Sequence, residues 1–344
     1  MLHFIIRRLI FLVFVLFGVT ILVFTLLMTF SPERRAAAFI RSPQSARDID
    51  KIVQKFGLND PFYIQYGRWI REISQGNLGW SLVASGTVLE AFWRYLPVTV
   101  ELNLYCAPLI VFAGIWFGTL AGVHRDTWID HTSRIVSIIG WSLPTFLFSL
   151  ILLMIFYGYF KGWLPPGIIS DEANMYILDH ADTFKRYTGM YTIDGLLNGE
   201  LWITLDALRR LVLPVITNVV VIFALLVRVM RSGMIEALSQ DYVITAKAKG
   251  ADRKTIHLKH ARRNALIPVM TVSGVLIAGL MTGSISVEYV FNRQGMGWWL
   301  ANSAIQLDVP ALLSVCLFVG FVYVIANLIV DILYAYIDPR IRLG

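Results

Sequence analysis

The feature that most constrains this chain is a series of six apolar stretches, at residues 9–30, 98–123, 135–160, 211–230, 267–287 and 311–336. A helix needs about 20 mostly apolar residues to cross the hydrocarbon core of a bilayer. All six reach that length; 211–230 does so most narrowly, and it can be extended upstream toward Leu205. Hydrophobic residues make up 57% of the chain and charged ones 15%, against about half and about a quarter in soluble domains. The expectation is an all-α integral membrane protein with six transmembrane helices.

Arg7 and Arg8 precede the first stretch, whose leading half resembles a signal peptide. The run continues for 22 residues and ends in Ser31-Pro32-Glu33-Arg34-Arg35 without a small-residue cleavage site, so it reads as an uncleaved span. Cys106 and Cys316 both lie inside apolar stretches. That excludes a disulfide framework and a CxxC metal signature, and both cysteines read as small buried hydrophobes. Pro108, Pro144, Pro214 and Pro268 fall within spans. Membrane helices tolerate them where neighbours satisfy the freed backbone groups, and kinks are expected there.

Orientation follows from Lys and Arg near the span ends. Inner and outer segments hold equal totals of 15 each, but the outer loops 31–97 and 161–210 are too long to weigh heavily. The stretch Arg228–Arg263 packs nine basic residues into 36. This predicts both termini on the inner side (N-in, C-in). The excess of +7 then sits beside anionic lipid rather than nucleic acid.

The chain divides into an N-terminal span (1–30), an external helical loop (31–97) and a core (98–344) that holds five spans and an inner loop at 236–266. In the external loop, Ile49, Ile52, Val53 and Phe56 recur at helical spacing, and Gly57 closes that run as a C-cap. Pro61 starts a second helix carrying Tyr63, Tyr66, Trp69, Ile70 and Ile73, and Gly76-Asn77-Leu78-Gly79-Trp80-Ser81 reads as a turn. The other large loop, 161–210, opens with Leu164-Pro165-Pro166-Gly167 and carries mixed charge.

The inner loop reads as two helices joined at a glycine. Ser239 or Asp241 suits the N-cap of a helix over 239–249, with Lys247 and Lys249 in a last turn where the helix dipole favours cations. Gly250 ends it in the left-handed conformation. Asp252 caps a second helix, 253–266, whose Ile256, Leu258, Ala261 and Ala265 turn toward protein or bilayer. The surface between, Ala246-Lys247-Ala248-Lys249-Gly250-Ala251, is small and basic and lets a partner's backbone approach closely. A basic loop lying on anionic lipid is the simpler alternative.

Tyr242-Val243-Ile244-Thr245-Ala246-Lys247-Ala248-Lys249-Gly250 and His260-Ala261-Arg262-Arg263-Asn264-Ala265-Leu266-Ile267-Pro268 resemble the cytoplasmic loop of the dipeptide/oligopeptide permease family of ABC importers. Ile244 stands where the general motif of ABC importers has an acidic residue, so the likeness is to the peptide-type subfamily. Further short stretches resemble the same family in order along the chain. They are Gly57-Leu58-Asn59-Asp60-Pro61, Gly76–Ser81, Pro97-Val98-Thr99-Val100-Glu101-Leu102 and Ser142-Leu143-Pro144-Thr145-Phe146. Gly295-Met296-Gly297, Asp308-Val309-Pro310, Asn327–Tyr334 and Asp338-Pro339-Arg340-Ile341-Arg342 complete the series. Ser31-Pro32-Glu33 departs from the family pattern, as does loop 161–210.

The resemblance implies a type I importer fold in the cell membrane. It also implies an assembly of this chain with a homologous second permease, two ABC ATPase subunits and an external solute-binding protein. The chain lacks GxxxxGK[ST], so ATP and Mg belong to the ATPases, and no cofactor or catalytic residue is expected here. Asp241, Tyr242, Thr245, Ala246, Lys247, Ala248, Lys249, Gly250, Ala251 and Asp252 would couple to the ATPases. Glu101, Asn103 and Asp331 are candidates for the solute path, since ionisable groups at membrane depth are functional suspects. Trp298 and Trp299 would either meet the binding protein or form an aromatic belt. Relatives with this pattern handle dipeptides, oligopeptides, nickel chelates or oligosaccharides, and short peptides are the expectation. A membrane enzyme would need HExxH, GxSxG or a third ligand beside His257 and His260 or His124 and His131, and none is present. An ion-coupled secondary transporter would need an inverted repeat or a line of intramembrane charges, and neither is found.

Overall fold

The computed structural model describes residues 2–36, 39 and 49–337. The Asp338-Pro339-Arg340-Ile341-Arg342 motif and the inner segment 338–344 lie outside the described residues. The fold is helical with one correction to the all-α expectation. Trp80–Ser81 pairs antiparallel with Gly86–Thr87 in a two-residue ladder, part of which was read as a plain turn.

Four helices are long and apolar enough to cross a membrane: Val88–Val123, Leu201–Leu238, Arg253–Val290 and Val309–Leu333. The helix expected from residue 98 begins at Val88, because Thr87 and Glu90 form a reciprocal capping box there. The stretch 135–160 is a pair rather than one straight span: Trp128–Ser142 and Thr145–Tyr159 meet at 96°. Pro144 is the cause. It disfavours the helical region for its predecessor, and Leu143 is extended (φ −76°, ψ 122°). By contrast, continuous helix runs through Pro97, Pro108, Pro214 and Pro268. The N-terminal helix, Leu2–Leu27, packs along the last one, with Val19 against Gly320.

The centre of the fold is the seam between Val88–Val123 and Leu201–Leu238. Gly114, Gly118 and Gly122 recur every four residues and face Leu226, Met230 and Met234. An added Cβ on Gly114 or Gly118 would lie 2.5 Å from the Cβ of Leu226 or Met230. Cys106 faces Asn218 two levels further along, at the same offset of 112 residues. A constant offset means that the two helices run parallel. Water-driven burial is weak between helices in lipid, so association relies on close backbone approach at small residues. Gly140 lies against the carbonyl of Val220, and Gly233 against Ala265, so the neighbours pack onto the same helix in the same way. Cys106 is buried in this core, whereas Cys316 is exposed on its helix, contrary to the expectation for both.

Loop 31–97 packs on the C-terminal part of the N-terminal helix, around Val23, Phe24 and Leu27. Gly57 has φ +56° and ends the Ile49–Lys55 helix as expected. Phe62–Ser74 turns Tyr66 and Trp69 onto Phe24, with ring centroids 5.4 and 5.1 Å away, while Tyr63 points outward. Loop 161–210 is ordered into two short helices, Asp171–Asp179 and Tyr191–Leu197.

Gly118→Leu is expected to destabilise the protein by at least about 1–3 kcal/mol through overpacking. Gly67→Ala, whose Cβ meets nothing within 4 Å, should be neutral or stabilising by about 0.5–1 kcal/mol. Thermal midpoints of the detergent-purified variants check this, and equal midpoints would remove the seam from the account.

Candidate functional site

The loop between the Leu201–Leu238 and Arg253–Met281 segments is a compact turn of defined geometry. Leu238 ends one long helix, and Gln240 is extended (φ −80°, ψ 153°) before the short helix Asp241–Ala248. Neither Ser239 nor Asp241 caps it: Ser239 is already in the helical region and donates back to Glu236 O, and Asp241 is inside the first turn. At the other end Gly250 has φ +78°. Its amide donates to Lys247 O at 3.0 Å and the Ala251 amide donates to Ala246 O at 3.1 Å, the paired bonds of a Schellman C-cap. Asp252 then accepts from the Thr255 amide at 3.2 Å and caps the next helix, as expected. Hydrogen bonding at Thr255 holds the Asp252 carboxyl below its ordinary pKa.

The second helix does not stop at 266. It passes through a π-helical turn, Ile256–Ala261, and continues as Arg262–Met281. Val243 and Ile256 are fully buried and fix the short helix to this turn, with Ala261 and Ala265 also inward and Leu258 outward. The opposite face is open. Asp241, Tyr242, Thr245, Lys247, Ala248, Lys249, Gly250 and Asp252 are exposed, Ala246 and Ala251 are half-buried, and Ile244 is 61% exposed. Ile244 thus stands exposed on the same short helix as Tyr242 and Lys247. The same end of the molecule holds a buried ion pair. Asp130 accepts from Arg231 Nε and Nη2 at 2.5 and 2.8 Å, tying segment 124–134 to the helix that enters the loop.

The other end is built around a second charge cluster. Arg293 Nη2 lies 2.9 Å from Glu101 Oε2, and both side chains are buried (0% and 1% exposed). Glu101 also accepts from the Thr192 amide, and Arg293 donates to Gly167 O, so the pair ties both ends of loop 161–210 to the core. Glu288 accepts from the Thr99 hydroxyl and the Trp298 amide, and Thr99 accepts from the Met296 amide. Asn103 donates to Leu280 O and Thr99 O. Asp308 accepts from the Ser81 hydroxyl and the Val83 amide, binding loop 31–97 to the same end.

Several expected site residues thus have other surroundings. Glu101 and Asn103, candidates for a solute path, are each 1% exposed and engaged with protein groups. Trp299 is fully buried: it stacks on Tyr95 at 5.5 Å and donates to Ser81, which withdraws it from any docking surface. Trp298 is half-buried. Asp331 is half-buried on Val309–Ile337. Sequence reasoning missed Arg293 and Glu288. A signal was available, because Arg293 is the only Lys or Arg between Arg263 and Arg340.

The profile of the family described as binding-protein-dependent transport system inner membrane component matches residues 114–343. The chain belongs to that family. The profile of the N-terminal part of the same membrane component matches residues 1–103. A dipeptide transport system permease protein of Alkalihalophilus pseudofirmus is 33% identical over 99% of this chain and 100% of its own length. A probable D,D-dipeptide transport system permease protein of Escherichia coli is 38% identical over 86% of this chain and 85% of its own. An oligopeptide transport system permease protein of Bacillus subtilis is 34% identical over 98% and 99%. This membrane component is accordingly a multi-pass protein of the cell membrane, and its family is a transport component rather than a catalytic one.

Arg293→Met is expected to destabilise the component by about 3–5 kcal/mol, because it leaves Glu101 buried and unpaired. Adding Glu101→Leu should recover much of that loss. Thermal unfolding of the two single variants and the double variant reads the coupling, and additive losses would show that the pair does not act as a unit.

Proposed function

We propose that this chain is one of two membrane-spanning subunits of an ATP-driven importer for short peptides. The relatives named for dipeptides and oligopeptides match it nearly end to end, which supports peptides over oligosaccharides or nickel chelates. The partners are a homologous second permease, two ABC ATPase subunits that hold ATP and Mg, and an external solute-binding protein. No nucleotide chemistry falls to this chain.

The proposed topology has six spans with both termini in the cytoplasm. The four long helices and the bent pair supply five. Leu2–Leu27, at 26 residues, is long enough to supply the sixth, since a helix rises about 1.5 Å per residue. Two contact sets support the sidedness. Segments 124–134 and 228–266 meet through Asp130 and Arg231. Segments 31–97, 161–210 and 288–310 meet through Ser81, Asp308, Gly167 and Arg293. The nine basic residues of 228–263 support a cytoplasmic position for the first set.

The observation that carries the mechanism is the exposed face of Asp241–Ala248, joined to two long helices by the short turns at Gln240 and Gly250. In the proposed cycle this helix sits in a groove of an ATPase subunit. Closure of the ATPase pair on ATP moves it, and the spans exchange inward- for outward-facing states. Differential contact at this helix supplies the bias, as any two-state switch requires.

Affinity purification of the tagged chain from its native membrane tests the assembly. A P-loop ATPase and a second six-span protein should accompany it. The chain alone, with uptake driven by an ion gradient, would sink the reading. Gly250→Val places a β-branched residue at φ +78°, which costs roughly 1–2 kcal/mol in the left-handed region. It should lower peptide uptake per ATP hydrolysed while the chain still inserts, and normal uptake would count against the coupling role of this helix.

A further inference from the structure

Asn218 lies near the middle of the apolar run between Arg210 and Arg228. Its side chain is 2% exposed, and among the described residues its amide makes one hydrogen bond, a long 3.9 Å contact from Nδ2 to Cys106 Sγ. A thiol sulfur is a weak acceptor. A buried amide left this poorly paired is costly unless something else satisfies it. Asn218 lines a cleft of about 270 Å³ whose other polar side chains are Thr145, Ser284 and Ser286. Among the described residues none of those three hydroxyls makes a hydrogen bond.

Two helix breaks open on this same cleft. One is the 96° bend after Pro144, beside Thr145. The other separates Arg262–Met281 from Ile285–Val290, where Gly283 has φ +101°. The second break is locked from behind. A Cβ on Gly283 would come within 2.6 Å of Gly297 Cα, so two backbones meet there with no room for a side chain. Non-helical backbone at membrane depth is tolerated where protein buries it or where it lines a water-filled cavity. Discontinuous helices are also where solute sites of membrane transporters form.

Among the described residues, no ionisable one lines the cleft. It therefore offers no counter-charge to a peptide's charged termini, and it presents an amide and three hydroxyls, which can donate and accept together. Resting on the importer reading above, we infer that this cleft is a station on the translocation path. There Asn218, Thr145, Ser284 and Ser286 exchange hydrogen bonds with the neutral amide groups of a passing peptide. The absence of charge suits passage, because a conducted solute must be held weakly enough to leave.

The test uses the complete importer in proteoliposomes, with radiolabelled di-alanine as probe and maltose as the competing chemistry. Asn218→Leu is expected to lower di-alanine uptake per ATP hydrolysed by about tenfold, the scale of one or two lost hydrogen bonds. Asn218→Gln, which keeps the amide, should recover part of it. Ser286→Cys should react with a charged, water-soluble methanethiosulfonate, above the background of Cys106 and Cys316, and di-alanine but not maltose should slow the reaction during turnover. If Asn218→Leu fails to assemble, this labelling decides. Wild-type uptake of di-alanine, with uptake by Asn218→Leu within twofold of it or with Ser286→Cys unlabelled, overturns the station and leaves the importer reading standing. Absence of di-alanine uptake by the wild-type complex overturns the peptide reading and the station with it.

Discussion

The close approach of Val88–Val123 to Leu201–Leu238 fixes the position of nearly everything else. Three glycines, four residues apart, let Leu226, Met230 and Met234 seat directly on the facing backbone. The offset of 112 residues holds from Cys106–Asn218 through to Gly122–Met234. With that register set, the Glu101 and Asp130 carboxylates stand at opposite ends of the packed region, each joined to a buried or half-buried arginine. The glycines supply contact and the ion pairs supply specificity. Neither kind of interaction does the other's work in a medium where apolar surface alone selects no partner.

Buried charge at the Glu101 end also explains how loop 161–210 and the hairpin of loop 31–97 are held to the core. Arg293 reaches Gly167 and Glu101 reaches the Thr192 amide, so loop 161–210 is anchored on both flanks. Asp308 does the same for the hairpin at Ser81 and Val83. A buried carboxylate needs several donors, and here the donors come from different loops. The cost of burial is thereby converted into a fixed arrangement of the loops at that end.

The apolar stretches, the Gly57 cap, the Gly250 turn and the Asp252 cap were legible in the sequence because each rests on local chemistry: length, backbone conformation, a carboxylate at an N-cap. The break at Pro144 was only half legible. Proline marked the place, but Pro108, Pro214 and Pro268 carry the same mark and lie within continuous helix. Neighbours decide which proline breaks a helix, and neighbours are not written locally. The π-helical turns at Met154–Tyr159 and Ile256–Ala261 have no sequence signature at all. Glu101 was noticed for its charge but misplaced, since its partner lies 192 residues away. Trp299 was read as a surface aromatic because nothing nearby in sequence shows that Tyr95 and Phe92 enclose it.

Helix length has a mechanical consequence. Leu201–Leu238 contains 38 residues without interruption. At 1.5 Å per residue it is about 57 Å long, so turning it by about 10° around one end carries the other end through about 10 Å. Such a rod amplifies. A small rotation imposed where it enters the Asp241–Ala248 turn becomes a displacement the width of a side chain or two at Glu200, where loop 161–210 begins to fold back.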